Sequence, residues 1–269
     1  MDKDRNGFAF YAHIYKKILI QDLKSRMSYR ADFIISTMGM LLVNISGFVT
    51  FWIIFKNFPM IRGWTYYEML YLYGFSMIAL TPVQCFFDNN WNLSRAIHSG
   101  DFIKYCFRPL NLFFYYMSEV FDVKGIGQFL FGIGTLIYAW HHLVIPVNFR
   151  NIVGVIIGVL SASLFMIALM NFASALQFWI VGATSVMILV FKFKDYARYP
   201  VTIFNGFFRI VFTFIIPIGF MAYYPSLFVL HQEEISVLTY LTPLFGVLFV
   251  YLSYRFWMRG ARQYSGTGS

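Results

Sequence analysis

The sequence predicts an all-α polytopic membrane protein, and three observations carry that prediction. Residues 151–191 run for 41 positions without a charged side chain or a histidine. As one straight helix that run would reach about 60 Å, roughly twice the hydrocarbon core of a bilayer, so it must fold back on itself. Composition agrees: 59% of the residues are hydrophobic and only 12% charged, with a mean hydropathy of +0.63, whereas soluble domains carry about 25% charged residues. Nearly uncharged segments also recur at 33–55, 66–87, 125–140, 152–170, 173–191, 210–230 and 237–251. Together these observations exclude the water-soluble classes.

The elements follow in chain order. Phe8, Tyr11, Tyr15, Ile18, Leu19 and Leu23 recur at helical spacing, with His13, Lys17, Gln21 and Lys24 largely opposite. Residues 8–28 therefore read as a helix lying in the membrane interface, its apolar stripe interrupted by Asp22 and Arg26. The segment after Met1 is charged and has no short apolar core before a small-residue cleavage site, so the first span is expected to act as the insertion signal. Spans are expected at 31–56 and 66–88, joined to a third at 120–142 by a hydrophilic loop, 89–110. In that loop Asn89, Asn90 and Asn92 offer N-cap side chains, residues 93–98 can form a short helix, and Ser99-Gly100 supplies its stop. Asp101 can cap a second short segment that ends before Pro109.

Within the uncharged run, the small polar residues Asn171, Ser174 and Gln177 suit a tight turn between a fourth span at 150–171 and a fifth at 173–191. Residues 200–231 are unlike the other apolar segments, because Pro217, Gly219 and Pro225 interrupt them and Pro200 precedes them. Several carbonyls lose their donors there, which favours a re-entrant hairpin over a plain span. A sixth span at 235–256 and a basic tail at 257–269 complete the chain as a single domain.

Charge sets the expected orientation, since cytoplasmic flanks carry the excess of Lys and Arg. With six spans and both termini inside, 14 of the 21 basic residues fall in the cytoplasm. Seven full spans would export the basic C-terminal tail. Six spans with an extracellular hairpin are therefore expected.

Other polar residues suggest less. Glu119, Asp122 and Lys124 approach the third span near the headgroups, where pairing with one another or with the interfacial helix is a simpler reading than function. Adjacent His141 and His142 point to different helix faces with no carboxylate nearby, so an interfacial placement with Trp140 is expected rather than a metal. Lys192, Lys194, Asp195, Arg198 and Arg209 form a basic cluster by the hairpin; it could meet an anion or form a solvated outer rim. Cys85 and Cys106 lack metal-ligand spacing and are too few for a disulfide framework, so both read as packing residues.

Four stretches resemble a known family: residues 97–102 with 107–111, Tyr199-Pro200, residues 214–220, and the closing Arg262-Gln263-Tyr264-Ser265-Gly266-Thr267-Gly268-Ser269. Their order over almost the whole length resembles the membrane subunits of ABC-2 type exporters, in the branch of permeases with about 265 residues. The resemblance implies an interfacial helix, six spans, a coupling helix in the first cytoplasmic loop and re-entrant helices before the last span. It further implies a bacterial cytoplasmic membrane location, two copies of a separate ABC ATP-binding subunit, and a second permease that is identical or a sister chain. Carried over to this chain, the coupling helix falls on residues 91–102. Trp91 and Phe102 would serve as apolar anchors and Arg95 and Asp101 as polar contacts, with Leu93 and His98 between them.

Dependence on a partner also follows from the residues themselves. No G-x-x-x-x-G-K-[ST] phosphate cradle occurs, and no expected cytoplasmic segment could hold a nucleotide-binding domain. No cofactor is expected in this chain; ATP and magnesium would sit on the partner, and neither an enzyme activity nor a nucleic acid ligand is expected. The expected role is export of a drug, peptide or lipid-like molecule. The competing classes are an ion-coupled carrier, which would need charged relays at mid-membrane, and a membrane-embedded enzyme, for which only Glu119 with Asp122, or His141 with His142, could converge.

Overall fold

In the computed structural model, residues 7–27 and 30–264 are described. The basic residues Lys3 and Arg5 and the closing 265–269 stretch lie outside them. Helix α1 (Phe8–Met27) turns Tyr11, Tyr15, Ile18, Leu19 and Leu23 inward and leaves His13, Lys17, Gln21 and Lys24 exposed. Asp22, expected to interrupt the stripe, instead accepts the Phe121 backbone N–H at 3.2 Å. Helix α2 (Arg30–Asn57) then leads to a tight antiparallel pair, β1 (Met60–Ile61) and β2 (Trp64–Thr65), and to α3 (Tyr66–Phe86). The α3 start is set by Thr65 and Glu68, whose carboxylate accepts the Thr65 N–H at 2.7 Å in a capping box.

Four described helices, Ile34–Asn57, Tyr66–Phe86, Phe149–Phe178 and Val237–Gln263, are long and apolar enough to cross a membrane. The protein is thus an all-α, multi-pass membrane protein. Helix α3 is its centre: Leu70, Tyr71, Leu72 and Phe75 are fully buried. After the short helices α4 (Leu93–His98), α5 (Ile103–Cys106) and α6 (Leu112–Ser118), helix α7 (Lys124–His142) returns along α3. Their backbones meet at Gly74 and Gly132. Apolar lipid supplies little hydrophobic drive between helices, so such small residues bring them into van der Waals contact. Helix α8 (Phe149–Ala175) lies on the other side of α3 and pairs along its length with the last helix, where Gly246 faces the Ser161 carbonyl.

The uncharged run folds back later than expected. Asn171 is helical within α8, and Ser174 and Gln177 are buried beside it; the reversal falls at residues 179–183, where Gly182 takes φ +81°. Buried polar side chains with partners hold a helix together as well as they open a turn, and glycine supplies the left-handed backbone that the turn needs. The expected fifth span is correspondingly short. Helix α9 (Thr184–Phe193) has ten residues, and irregular chain carries on to Thr202, which accepts the Trp64 indole N–H at 3.0 Å beside the β pair.

From there the chain is broken: a helical stretch ends before Pro217, while Pro225, expected to interrupt the segment, lies inside a short helix, Tyr223–Leu227. Helix α10 (Gly206–Ile210) passes into a π-helical turn (Val211–Ile215) that stops before Pro217. A short 3-10 turn and α11 (Tyr223–Leu227) follow, packed against α8 and α12 (Val237–Gln263), with Phe220 stacked on Phe165 at 4.8 Å. Pro200, Gly219 and Pro225 are all buried in this broken stretch.

Candidate functional site

The hydrophilic loop between α3 and α7 is an ordered unit, built from the bottom by two asparagines. Asn89, Asn90 and Asn92 do not cap α4, as expected; they lie in a 3-10 turn (Asp88–Asn92), and the α4 start has no side-chain cap. Instead Asn89 donates to the Tyr116 carbonyl at 2.6 Å while the Tyr116 hydroxyl donates back to the Asn89 carbonyl at 2.8 Å. Asn90 donates to Asn171 Oδ1 at 2.9 Å and accepts from the Ser174 hydroxyl at 2.6 Å. These bonds are buried, so the loop is pinned to the end of α8 through groups that would be costly to leave unpaired. Asn171 and Ser174, expected to form a corner, are half of this pin.

Asn90→Ala should lower stability by about 1–3 kcal/mol, since Asn171 and Ser174 then lose a buried partner. Ser174→Ala should lower it less, because it leaves the Asn90–Asn171 bond in place. Thermal unfolding of the purified variants in detergent checks the order.

Above the pin sits an aromatic cluster that forms a second core. Trp257 of α12 is fully buried against Phe102, Phe113, Tyr116 and Phe178, with ring centroids at 6.0, 5.1, 5.6 and 5.3 Å. Three separate elements therefore share one cluster: the loop, the turn after α8, and α12. The stop expected at Ser99-Gly100 is present. Gly100 takes φ +76°, and the N–H groups of Gly100 and Phe102 donate to the Ile97 and Ala96 carbonyls. Asp101 does not cap α5; its carboxylate accepts from the Ser99 hydroxyl at 2.6 Å.

The expected contact residues separate into two groups. Arg95, His98 and Asp101 are exposed, and Trp91 is half-buried, edge-on to Phe191 at 5.2 Å. Leu93 and Phe102 are fully buried within this chain, so they cannot be surface anchors without unpacking the cluster. Helical geometry explains the correction: Phe102 and Tyr105 share one face that points inward, which turns Ile103 and Phe107 outward. Phe107 is 79% exposed, beside exposed Lys104 and Arg108. The loop thus offers an apolar group within a basic rim, five residues beyond the end of the segment expected to provide it.

Charges near the loop pair locally. Glu119 takes Lys104 at 3.3 Å and accepts from the Tyr105 hydroxyl. Burial, with the Glu119 carboxylate adding to it, holds the Tyr105 phenol proton well above the usual tyrosine range. Asp122 accepts from the Lys124 N–H at the start of α7. At the far end of α7, His142 stacks on Tyr67 at 4.4 Å. The loop is thus an ordered unit held to two long helices, with Arg95, His98, Asp101 and Phe107 exposed on its outer surface.

The family model for ABC-2 family transporter proteins matches residues 41–268. The chain belongs to that family. No curated protein and no solved structure shows a significant match. As an ABC-2 permease the chain is a membrane transport subunit, and the pinned loop lies wholly inside the matched region, as do Pro200, Pro217, Gly219 and Pro225.

Proposed function

We propose that this permease is the membrane half of an ATP-driven exporter and that the 88–110 loop receives the closing motion of a separate ATP-binding subunit. The observation that carries this reading is the shared cluster around Trp257. A displacement of the loop cannot be absorbed locally, because Phe102 and Asn90 tie it to α12 and α8. Close-packed interiors transmit strain rather than deform continuously. The partner would hold ATP and magnesium, in two copies, and a second permease, identical or a sister chain, would complete the pathway.

In this reading the loop faces the cytoplasm, and the long helices α2, α3, α7, α8 and α12 make five of six crossings. The stretch from α9 to Thr202 makes the fifth in order, as a broken crossing. Residues 206–230 dip from the outer face and return, supported by the pairing of His231 with Glu68 at 2.9 Å near the start of α3. Arg95, His98 and Asp101 supply the polar contacts to the ATPase, and Phe107 with Ile103 replaces Phe102 as its apolar anchor. A bacterial cytoplasmic membrane fits the charge distribution, since the chain's Lys and Arg are in excess on the side proposed to face the cytoplasm.

The test is reconstitution with the co-purifying ATPase. Phe107→Asp should weaken ATPase association at least tenfold, because a carboxylate would have to be desolvated in an apolar contact. Arg95→Ala together with Asp101→Ala should reduce it less, as expected for rim charges. If pull-down and ATP turnover are unchanged in the Phe107 variant while its unfolding transition is normal, the loop is not the contact surface.

A further inference from the structure

The basic cluster around the end of α9 divides: Lys192 and Arg209 are exposed, whereas Lys194, Asp195 and Arg198 line a pocket. Asn44 is the fifteenth of 28 residues in α2, so it lies about 20 Å from either end of that helix. Ser76 and Met77 stand at the middle of the 21-residue α3. Lys194, Asp195 and Arg198 line a pocket with these residues and with Tyr73 and Gln128, at mid-depth of the helices that cross the membrane. Irregular backbone is tolerated at that depth only where it is buried in protein or lines a cavity. Ionisable groups there are expensive and point to function.

The pocket has donors to spare. Lys194 pairs with Asp195 Oδ1 at 2.9 Å and Arg198 with the same oxygen at 3.5 Å, so one carboxylate faces two cations and a net charge of +1 remains. Arg198 also donates from Nε to the Asp195 carbonyl at 2.7 Å and lies over the Tyr73 ring at 5.5 Å. Ser76 and Gln128 donate to the carbonyls of Tyr73 and Met77. Asn44 differs from them. It is 7% exposed, its backbone carbonyl accepts from the Tyr73 hydroxyl, and its Nδ2 donor meets no acceptor among the described residues. A buried amide of this kind costs free energy unless a ligand completes it. The cavity measures about 70 Å³, against about 10–15 Å³ for one water on the same measure. That room suits a small oxyanion. Beside it, exposed Val43, Leu42 and Met38 on α2 continue as an apolar track.

We infer that this pocket binds the phosphate or carboxylate headgroup of an amphipathic molecule, with Asn44, Lys194 and Arg198 as its donors and the α2 track receiving the apolar tail. Resting on the permease reading, this assigns the cargo class: an amphipathic anion. It also places a charged site at mid-membrane, where the sequence alone suggested none.

The experiment uses the full chain with its co-purifying ATPase in nanodiscs of phosphatidylcholine, titrated with dodecyl phosphate, inorganic phosphate or dodecanol. Dodecyl phosphate should raise the unfolding midpoint saturably. Asn44→Ala and Arg198→Gln should each shift half-saturation about tenfold, as loss of a charge-assisted bond predicts, while Arg150→Gln leaves it unchanged. Dodecanol should have no such effect. Equal half-saturation in wild type and Asn44→Ala would overturn the site. Asn44→Ala decides the matter even where Arg198→Gln fails to fold, because its amide nitrogen makes no bond among the described residues. An equal response to inorganic phosphate would overturn the amphipathic class in favour of a free anion. Absence of any ATPase, with the Asn44-dependent shift intact, would instead sink the ATP-driven exporter reading alone.

Discussion

Trp257→Ala should detach the 88–110 loop from the membrane helices while leaving the helices inserted. Its indole is fully buried at the meeting point of Phe102, Phe113, Tyr116 and Phe178. Truncating a buried tryptophan removes its transfer free energy and leaves a cavity, together about 3–5 kcal/mol. The loss falls on the second core, because the cluster around α3 shares none of these rings. Limited proteolysis should therefore cut near residues 98–109 in the variant and not in the wild type, and ATP turnover should no longer respond to transport. Trp257→Phe provides the control. The indole nitrogen has no acceptor among the described residues, so phenylalanine keeps most of the packing and removes a buried orphan donor. Its cost should be well under half that of the alanine variant. Equal proteolysis of the alanine variant and the wild type would show that the loop is held by the asparagine pin alone.

The legible parts of this molecule are those whose physical cause lies at the position itself. Proline removes a donor wherever it stands, so the break at Pro217 could be read directly, and Ser99-Gly100 announced the end of α4 through glycine's left-handed backbone. Long apolar runs likewise marked α3, α8 and α12. What could not be read depends on partners distant in sequence. Asn90 looks like a cap until Asn171 and Ser174, more than eighty residues away, are found beside it. Phe102 looks like an anchor until α12 places Trp257 against it. Lys194 and Arg198 followed an apolar run, which suggests a membrane edge; only the shortness of α9 puts them at the midpoint of α2 and α3. One sequence signal bore on the loop: Phe102 and Tyr105 at i and i+3, with Ile103 and Phe107 off that face, separates an inward face from an outward one.

The pin, the second core and the mid-depth pocket stand on the same helices. Asn171 belongs to α8, which packs on α3, and α3 contributes Tyr73 and Ser76 to the pocket. The loop is therefore joined to the pocket through the Asn90–Asn171 bond and the packing of α8 on α3. That route is physical adjacency; coupling along it would have to be shown by a change of anion affinity on ATP binding.

Gly74→Ile should prevent assembly of the bundle. A Cβ at position 74 would stand 2.7 Å from the Leu136 backbone nitrogen and 2.8 Å from the Gly132 carbonyl oxygen. Both are backbone atoms of α7, so no rotamer change relieves the clash, and α3 and α7 must separate along their whole contact. Overpacking a core costs about 1–3 kcal/mol when side chains can yield, and more is expected where only backbone can move. The contact carries the protein's central helix, and separation would expose Tyr71 and Phe75 from the main core. Fluorescence-detected size-exclusion chromatography should show aggregate in place of a monodisperse peak. Gly134→Ala, two residues beyond Gly132 on α7, sets the scale: nothing lies within 4 Å of a Cβ built there. There the added methyl should stabilise by about 0.4–1 kcal/mol, by restricting the unfolded chain in a helical position. If both variants behave alike, the closeness of α3 and α7 at Gly74 is not what holds the bundle together.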